Sequence, residues 1–195
     1  MRRTMRQHAL TVIRDEHQAL AAMLRSLSLL VQQSRRRDEL PPFDVMRAML
    51  FYIDEFPERL HHPKETELLF PLLRQRAPEL APVLDRLDRD HEIGRRAIRD
   101  LQHALLAFEV MGAERRGDFE DALDRYIDAH LVHMASEEHE VLPAAQRVLT
   151  DADWIGLDAA FAANRDPLTG FEPEEGYRPL FQRILNAAPA PVGLG

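Results

Sequence analysis

The chain has 195 residues, 45% hydrophobic and 30% charged, with a formal net charge of -8. That is room for one domain, or one domain with a modest extension, and the balance is that of a folded chain rather than a disordered one. The absence of cysteine excludes disulfides, thiolate metal ligands and a cysteine nucleophile; the acidity argues against a nucleic-acid partner; and no apolar run approaches the roughly 20 residues of a membrane helix.

Met1 to Gln7 carries three Arg but leads into Arg14, Asp15 and Glu16 without the apolar core of a signal peptide, so a cytoplasmic protein is expected. Leu10, Ile13, His17, Leu20, Leu24, Leu27 and Val31 recur at spacings of three and four and predict a first helix over about residues 6–33. Ser34 to Pro42, with Arg35, Arg36 and Arg37 beside Asp38 and Glu39, reads as a solvated loop, and Asp44 as the N-cap of a second helix. That helix carries Met46, Leu50, Ile53, Pro57, His61, Glu65, Leu68 and Leu72 on one face, and its Pro57 and Pro63 predict a kink.

Pro78 suits the first turn of a third helix reaching about Met111, with Leu84, Leu87, His91, Arg95, Ile98, Leu101 and Leu105 inward. After Gly112 and Gly117, a fourth helix from about Asp118 to Val148 presents Leu123, Tyr126, His130, His133, Glu137 and Val141 along one stripe. The expected fold is all-α, an up-down-up-down four-helix bundle over residues 1–148. Residues 149–195 form a C-terminal extension. In it, Asp151 or Asp153 caps a helix through Phe161, turns fall at Asp166-Pro167 and Thr169-Gly170, and a brief helix spans Tyr177 to Leu185. Its Trp154, Phe161, Phe171, Tyr177 and Phe181 call for an apolar surface, either the bundle itself, a protein partner or a second copy of the chain.

One pattern is stated twice. His61 and Glu65 stand four apart and precede Pro71; His133 and Glu137 stand four apart and precede Pro143; His17 and His91 lie 44 and 42 residues upstream of their pairs. On a helix, positions i and i+4 share a face, so each pair is a two-pronged clamp. Two clamps and two single imidazoles converge in the bundle interior, where carboxylates are costly without a charge or metal to meet them. His17, His61, Glu65, His91, His133 and Glu137 are therefore the expected metal ligands. Imidazole suits iron, and carboxylates able to bridge favour two ions over one zinc, with manganese or zinc open to the same donors. His130 is expected as a further ligand or as a residue orienting one, His62 behind a ligand or at the surface, and His8, His103 and His139 at the surface. Glu138 and Asp15 are candidates to hydrogen-bond ligand N–H groups.

Lone His17, His61-His62-Pro63-Lys64-Glu65 followed by Leu-Leu-Phe-Pro, His91, and His133-x3-Glu137-Glu138 followed by Val-Leu-Pro resemble the hemerythrin-like (HHE cation-binding) proteins over about residues 8–148. The resemblance implies a four-helix bundle holding a non-haem diiron centre that binds or reacts with O2 and related small oxidants, a diatomic ligand or peroxide. Relatives act as O2 carriers, sensors or iron and redox-stress proteins. Oxygen carriers have a second His one turn after the third-helix His, where Arg95 stands, and their last carboxylate lies five residues after its His rather than four. The pattern is thus closer to the bacterial and sensor-type members. Arg95 is expected beside the metals, leaving one iron less saturated or hydrogen-bonding a bound anion or peroxide.

Three other readings stay open. Ferritin-like carboxylate proteins supply Glu-x-x-His twice; Glu58-x-x-His61 matches once, and His130 occupies the place of the second Glu. A metal-free helical interaction module would use the aromatic extension. A diiron enzyme would turn over peroxide or nitric oxide, and the sequence leaves enzyme status undecided.

Overall fold

The computed structural model describes residues 8–194; the remaining terminal residues, with the expected start of the first helix at residue 6, lie outside it. The described residues are helical, with no strand among them. Helix α1 is His8–Arg37. Helix α2 runs unbroken over residues 43–76, with π-helical turns at Asp54–His61 and Glu65–Leu69. Helix α3 is Ala81–Met111, led in by a 3₁₀ turn at Pro78–Leu80. Helix α4 runs over residues 116–148 with a π-helical turn at Glu137–Val141. Then follow α5, Asp151–Ala162, and α6, Arg178–Ala187. Among the described residues, no helix is long and apolar enough to cross a membrane.

Two apolar clusters hold the helices together. One joins Leu20 to Leu30 of α1, Val45 to Phe56 of α2, Ile98 to Phe108 of α3 and Phe119 to Tyr126 of α4. The other joins Ala9 to Ile13 of α1, Leu69 to Leu73 of α2, Leu84 and Leu87 of α3, Val141 to Ala145 of α4 and Leu149 just beyond it. The order in which a helix meets the two clusters reverses from each helix to the next. Between the clusters each of α1 to α4 contributes buried polar residues to one belt: Glu16 and His17; Glu58, His61, His62 and Glu65; His91; and His130, His133 and Glu137. Each fully buried Leu or Phe adds about 1.5–3 kcal/mol, so the apolar layers can carry the cost of a polar layer between them.

The extension packs against the bundle. Trp154, Leu157 and Phe161 of α5 belong to the second cluster, and Phe181 and Ile184 of α6 to the first. Thr150 caps α5 in a reciprocal box with Asp153, a pairing more complete than an Asp cap alone.

Two boundaries differ from expectation. Helix α1 continues through the Arg35–Arg37 run instead of ending at a loop. Three cations suit a helix C-terminus, and Arg35 pairs with buried Glu120. Asp44 sits inside the first turn of α2, where Pro42 occupies the cap position without a side-chain bond.

The larger difference lies in the π-helical turns. Pro57 falls inside the first, and Pro71 and Pro143 follow directly on the other two, in Phe70-Pro71 and Leu142-Pro143. A proline ring in a regular α-helix clashes with the carbonyl four residues back and leaves it without a donor. Widening the turn by one residue relieves that clash without breaking the helix, and near the third turn the Ala135 carbonyl takes a bond from His139 Nδ1 at 2.7 Å. The extra residue also shifts the inward register. Regular spacing predicts Leu68 and Leu72 inside; Leu69 and Leu73 are the buried pair, and Leu68 is 40% exposed.

Candidate metal centre

The belt places His17, His61, Glu65, His91, His133 and Glu137 within one buried cluster, each no more than 5% exposed. Glu65, His91, His133 and Glu137 form one group whose ligand atoms lie within 4.8 Å of one another, and His17, His61 and Glu65 form a second. The carboxylates tie the two together. Glu65 Oε1 is 3.2 Å from His61 Nε2 and Oε2 is 3.5 Å from His91 Nε2. Glu137 is 3.2 Å from both His17 Nε2 and His133 Nε2.

These approaches are not satisfied hydrogen bonds. Both oxygens of Glu65, both of Glu137 and His61 Nε2 are buried without a hydrogen-bond partner. Leaving such groups unmet in a folded interior costs roughly 1–3 kcal/mol each, more when charged. The two carboxylates converge on the Nε2 atoms of four imidazoles, with His91 Nε2 and His133 Nε2 sharing one hydrogen bond at 3.0 Å, and such a convergence of nitrogen and oxygen donors is the arrangement a cation completes.

The outer nitrogens follow one rule. Glu138 holds His17 Nδ1 at 3.1 Å, Glu16 holds His61 Nδ1 at 2.6 Å, and the Thr66 hydroxyl lies 2.9 Å from His91 Nδ1. Thr66 donates to Asp88, so it accepts from His91 and leaves Nε2 as the lone-pair nitrogen. Asp90 lies 3.6 Å from His133 Nδ1, a charge contact longer than a hydrogen bond. His17, His61 and His91 thus present Nε2 to the centre and Nδ1 to an anchoring group, as metal-ligating histidines do, whereas His133 Nδ1 is buried without a hydrogen-bond partner. Of the two anchors expected from sequence, Glu138 is in place; Asp15 is exposed, and its neighbour Glu16 takes the role.

His62 departs most from the reading of the sequence. It is buried, stacks on His91 with ring centroids 4.3 Å apart, and forms a third group with His91 and His133. The π-helical turn ending at His61 makes this geometry. A wider turn rotates less per residue, so two consecutive side chains can face inward. Burial and the neighbouring His91 push the His62 pKa down to about 3, which keeps the ring neutral and able to ligate.

Glu58, which the sequence offers only as half of a single Glu-x-x-His match, is the second departure. Its carboxylate accepts from Tyr126 Oη at 2.8 Å, and lies 3.1 Å from both His130 Nε2 and His62 Nδ1. His130, expected near the centre, bonds Glu58 and the Tyr126 carbonyl and falls in none of the candidate ligand groups. Arg95 is not brought to the cluster. It is half-exposed on α3 and pairs with Glu92 at 2.7 Å. The inward position on that turn is Gly94, where a Cβ would lie 2.9 Å from Glu58 Oε1. Gly94→Ala is therefore expected to destabilise the fold by about 1–3 kcal/mol through overpacking, although alanine favours a helix by about 1 kcal/mol. Chemical denaturation of the metal-free protein measures the sign; a more stable variant would mean that Glu58 moves freely.

A family model for the hemerythrin HHE cation binding domain matches residues 8–145. The chain belongs to that family. Comparisons with curated proteins and with solved structures find no match. The hemerythrin HHE match ends within α4, and the structure carries the site beyond it. Asn164, between α5 and the Pro167–Thr169 turn, is buried and donates from Nδ2 to Glu16 Oε2 at 2.9 Å. Lys64 donates to its Oδ1. The extension thereby braces the carboxylate that orients His61, over a sequence separation of 148 residues.

Asn164→Ala should leave the helices intact and lower metal affinity by about 10–100-fold, the usual effect of losing an outer partner. Competition with a chelator of known affinity reads this directly; unchanged affinity would make the contact incidental.

Proposed function

We propose that this hemerythrin HHE protein binds two iron ions and reacts with O2, nitric oxide or peroxide in a sensing, storage or stress-response role. What carries the reading is the pair of carboxylates, buried without donors, each reaching imidazoles on two sides of the cluster. His17 and His61 would hold one ion; His91, His133 and His62 would hold the other; Glu65 and Glu137 would be shared. Bound there, redox-active iron supplies electrons to small oxidants. The surrounding chain does the rest: the two apolar clusters close the belt at its two ends, and Glu16, Glu138, Thr66 and Glu58 fix ring orientation.

Metal analysis after iron-supplemented expression, with an absorption spectrum of the fresh protein, tests the reading. Two irons per chain and a near-ultraviolet band of an oxo-bridged pair are expected. A single zinc, two silent zincs or less than one ion per chain would overturn the diiron assignment, and a manganese pair would replace its metal.

A further inference from the structure

The cluster is not equally closed on all sides. Beside His17 and His61, where Asn164 and Asp166 of the extension cover it, the opening is only about 10 Å³, room for the centre of a single water and no more. Between α3 and α4 lies a cavity of about 720 Å³. Its walls are Ile93, Ala97 and Leu101 of α3 and Ala122, Ala129 and Val132 of α4. Its inner lining includes His62, His91 and His133, the three imidazoles grouped at one end of the cluster, and also Tyr126 and His130.

Size argues against a diatomic ligand as the natural occupant. A water molecule takes about 30 Å³ of liquid volume, and a diatomic is of that order, whereas sites for drug-sized molecules run from roughly 300 to 1,000 Å³. The lining argues for the rest of the chemistry. Alanines, isoleucine, valine and leucine on facing helices leave an apolar slot. Charges at its edge are mixed, Arg86 and Arg125 against Asp90, Asp100 and Asp128, which favours no ligand of one sign. The polar groups with something to offer a ligand are concentrated among the buried rings.

We propose that this cavity binds an uncharged, largely apolar organic molecule, with one end against His62, His91 and His133. The chain then brings an organic substrate or effector to the same centre that meets the small oxidant. Only the fate of that molecule rests on the metal-centre reading; its binding does not.

The test uses 1-aminoanthracene, an uncharged three-ring fluorophore, titrated into the iron-loaded protein. Saturable fluorescence enhancement is expected, weakened at least tenfold by Ala97→Trp, which fills the slot from α3. Ala129→Trp fills it from α4 at an exposed position that the fold tolerates, and should do the same with iron content unchanged. No saturable binding by the iron-loaded protein, or equal binding by the wild type and both variants, would overturn the proposal. A chain that holds no iron yet binds the probe, and loses it in both variants, supports the cavity and removes the diiron reading alone.

Discussion

Glu65→Ala and Glu137→Ala should each reduce the metal content from two ions per chain to at most one, and Glu65→Gln should do the same. Each carboxylate reaches imidazoles on two sides, so its loss removes a donor from both ion positions at once. The amide keeps the volume of the carboxylate but not its charge, which separates loss of ligation from loss of packing. The helices should survive, because His61 keeps Glu16 and His91 keeps Thr66, and the apolar clusters are untouched. Stability in the presence of metal should drop by the lost linkage, about 4 kcal/mol where free metal stands at a thousand times its dissociation constant. Glu138→Ala is the control. Glu138 touches only His17 Nδ1 from the edge of the site, so both ions should remain, more weakly held. Metal analysis with thermal unfolding of all four variants decides the matter. An emptied Glu138→Ala beside a full Glu137→Ala would mean that the inward register of α4 is misassigned.

The sequence could display that register in α4 because its stripe from Leu123 through His133 precedes the widened turn that begins at Glu137, and regular spacing holds up to that point. It could not display it after Glu65, where the π-helical turn moves the buried positions from Leu68 and Leu72 to Leu69 and Leu73. The signal was present in another form. The proline closing each His-Glu repeat is the residue that a regular helix cannot accept, and a proline inside a continuing helix demands a wider turn. His62 is buried for the same reason: a period of 3.6 assigns it to the outside and a wider turn does not. Arg95 and Gly94 pose a different ambiguity, since positions three and four after His91 both lie near the inward face. Physical chemistry favours the glycine there. A mid-helix glycine costs about 1 kcal/mol against alanine, a cost that close packing explains, whereas arginine gains by reaching solvent. Asn164 lay beyond periodic reasoning altogether, because it sits in a loop and its partner Glu16 is 148 residues away in the chain.

Metal affinity should rise steeply with pH through the neutral range, while the cluster's own contribution to the stability of the metal-free protein moves the other way. Without metal, burial works against a charge on His61, but Glu65 and Glu16 outweigh it and hold the ring protonated well above its ordinary 6.5. Burial opposes His133 likewise, and Glu137 and Asp90 carry it up to about 10. For Glu137, burial and the nearby Glu65 push upward, and His133 and His17 hold it down at about 2. The raised histidines stabilise the metal-free fold fully below pH 6.5, and that contribution is lost as pH climbs toward 10. The depressed carboxylate stabilises it above pH 4.5, and that contribution is lost as pH falls toward 2. The metal-free cluster is therefore most favourable between about pH 4.5 and 6.5. Ligation requires neutral imidazole, so metal uptake at pH 7 must expel protons from His61 and His133. Burial opposes a charge on His17 too, but Glu137 and Glu138 raise it above its ordinary value, so it adds to the release, and two or more protons per loading event correspond to an affinity gain of at least about 100-fold per pH unit. Calorimetric titration in buffers of different ionisation enthalpy should count the released protons, and the gap in melting temperature between loaded and metal-free protein should widen from pH 6 to pH 8. A gap that narrows over that range, or uptake without proton release, would show that the imidazoles are already neutral and that the Glu65 and Glu137 pairs are not charged in the metal-free state.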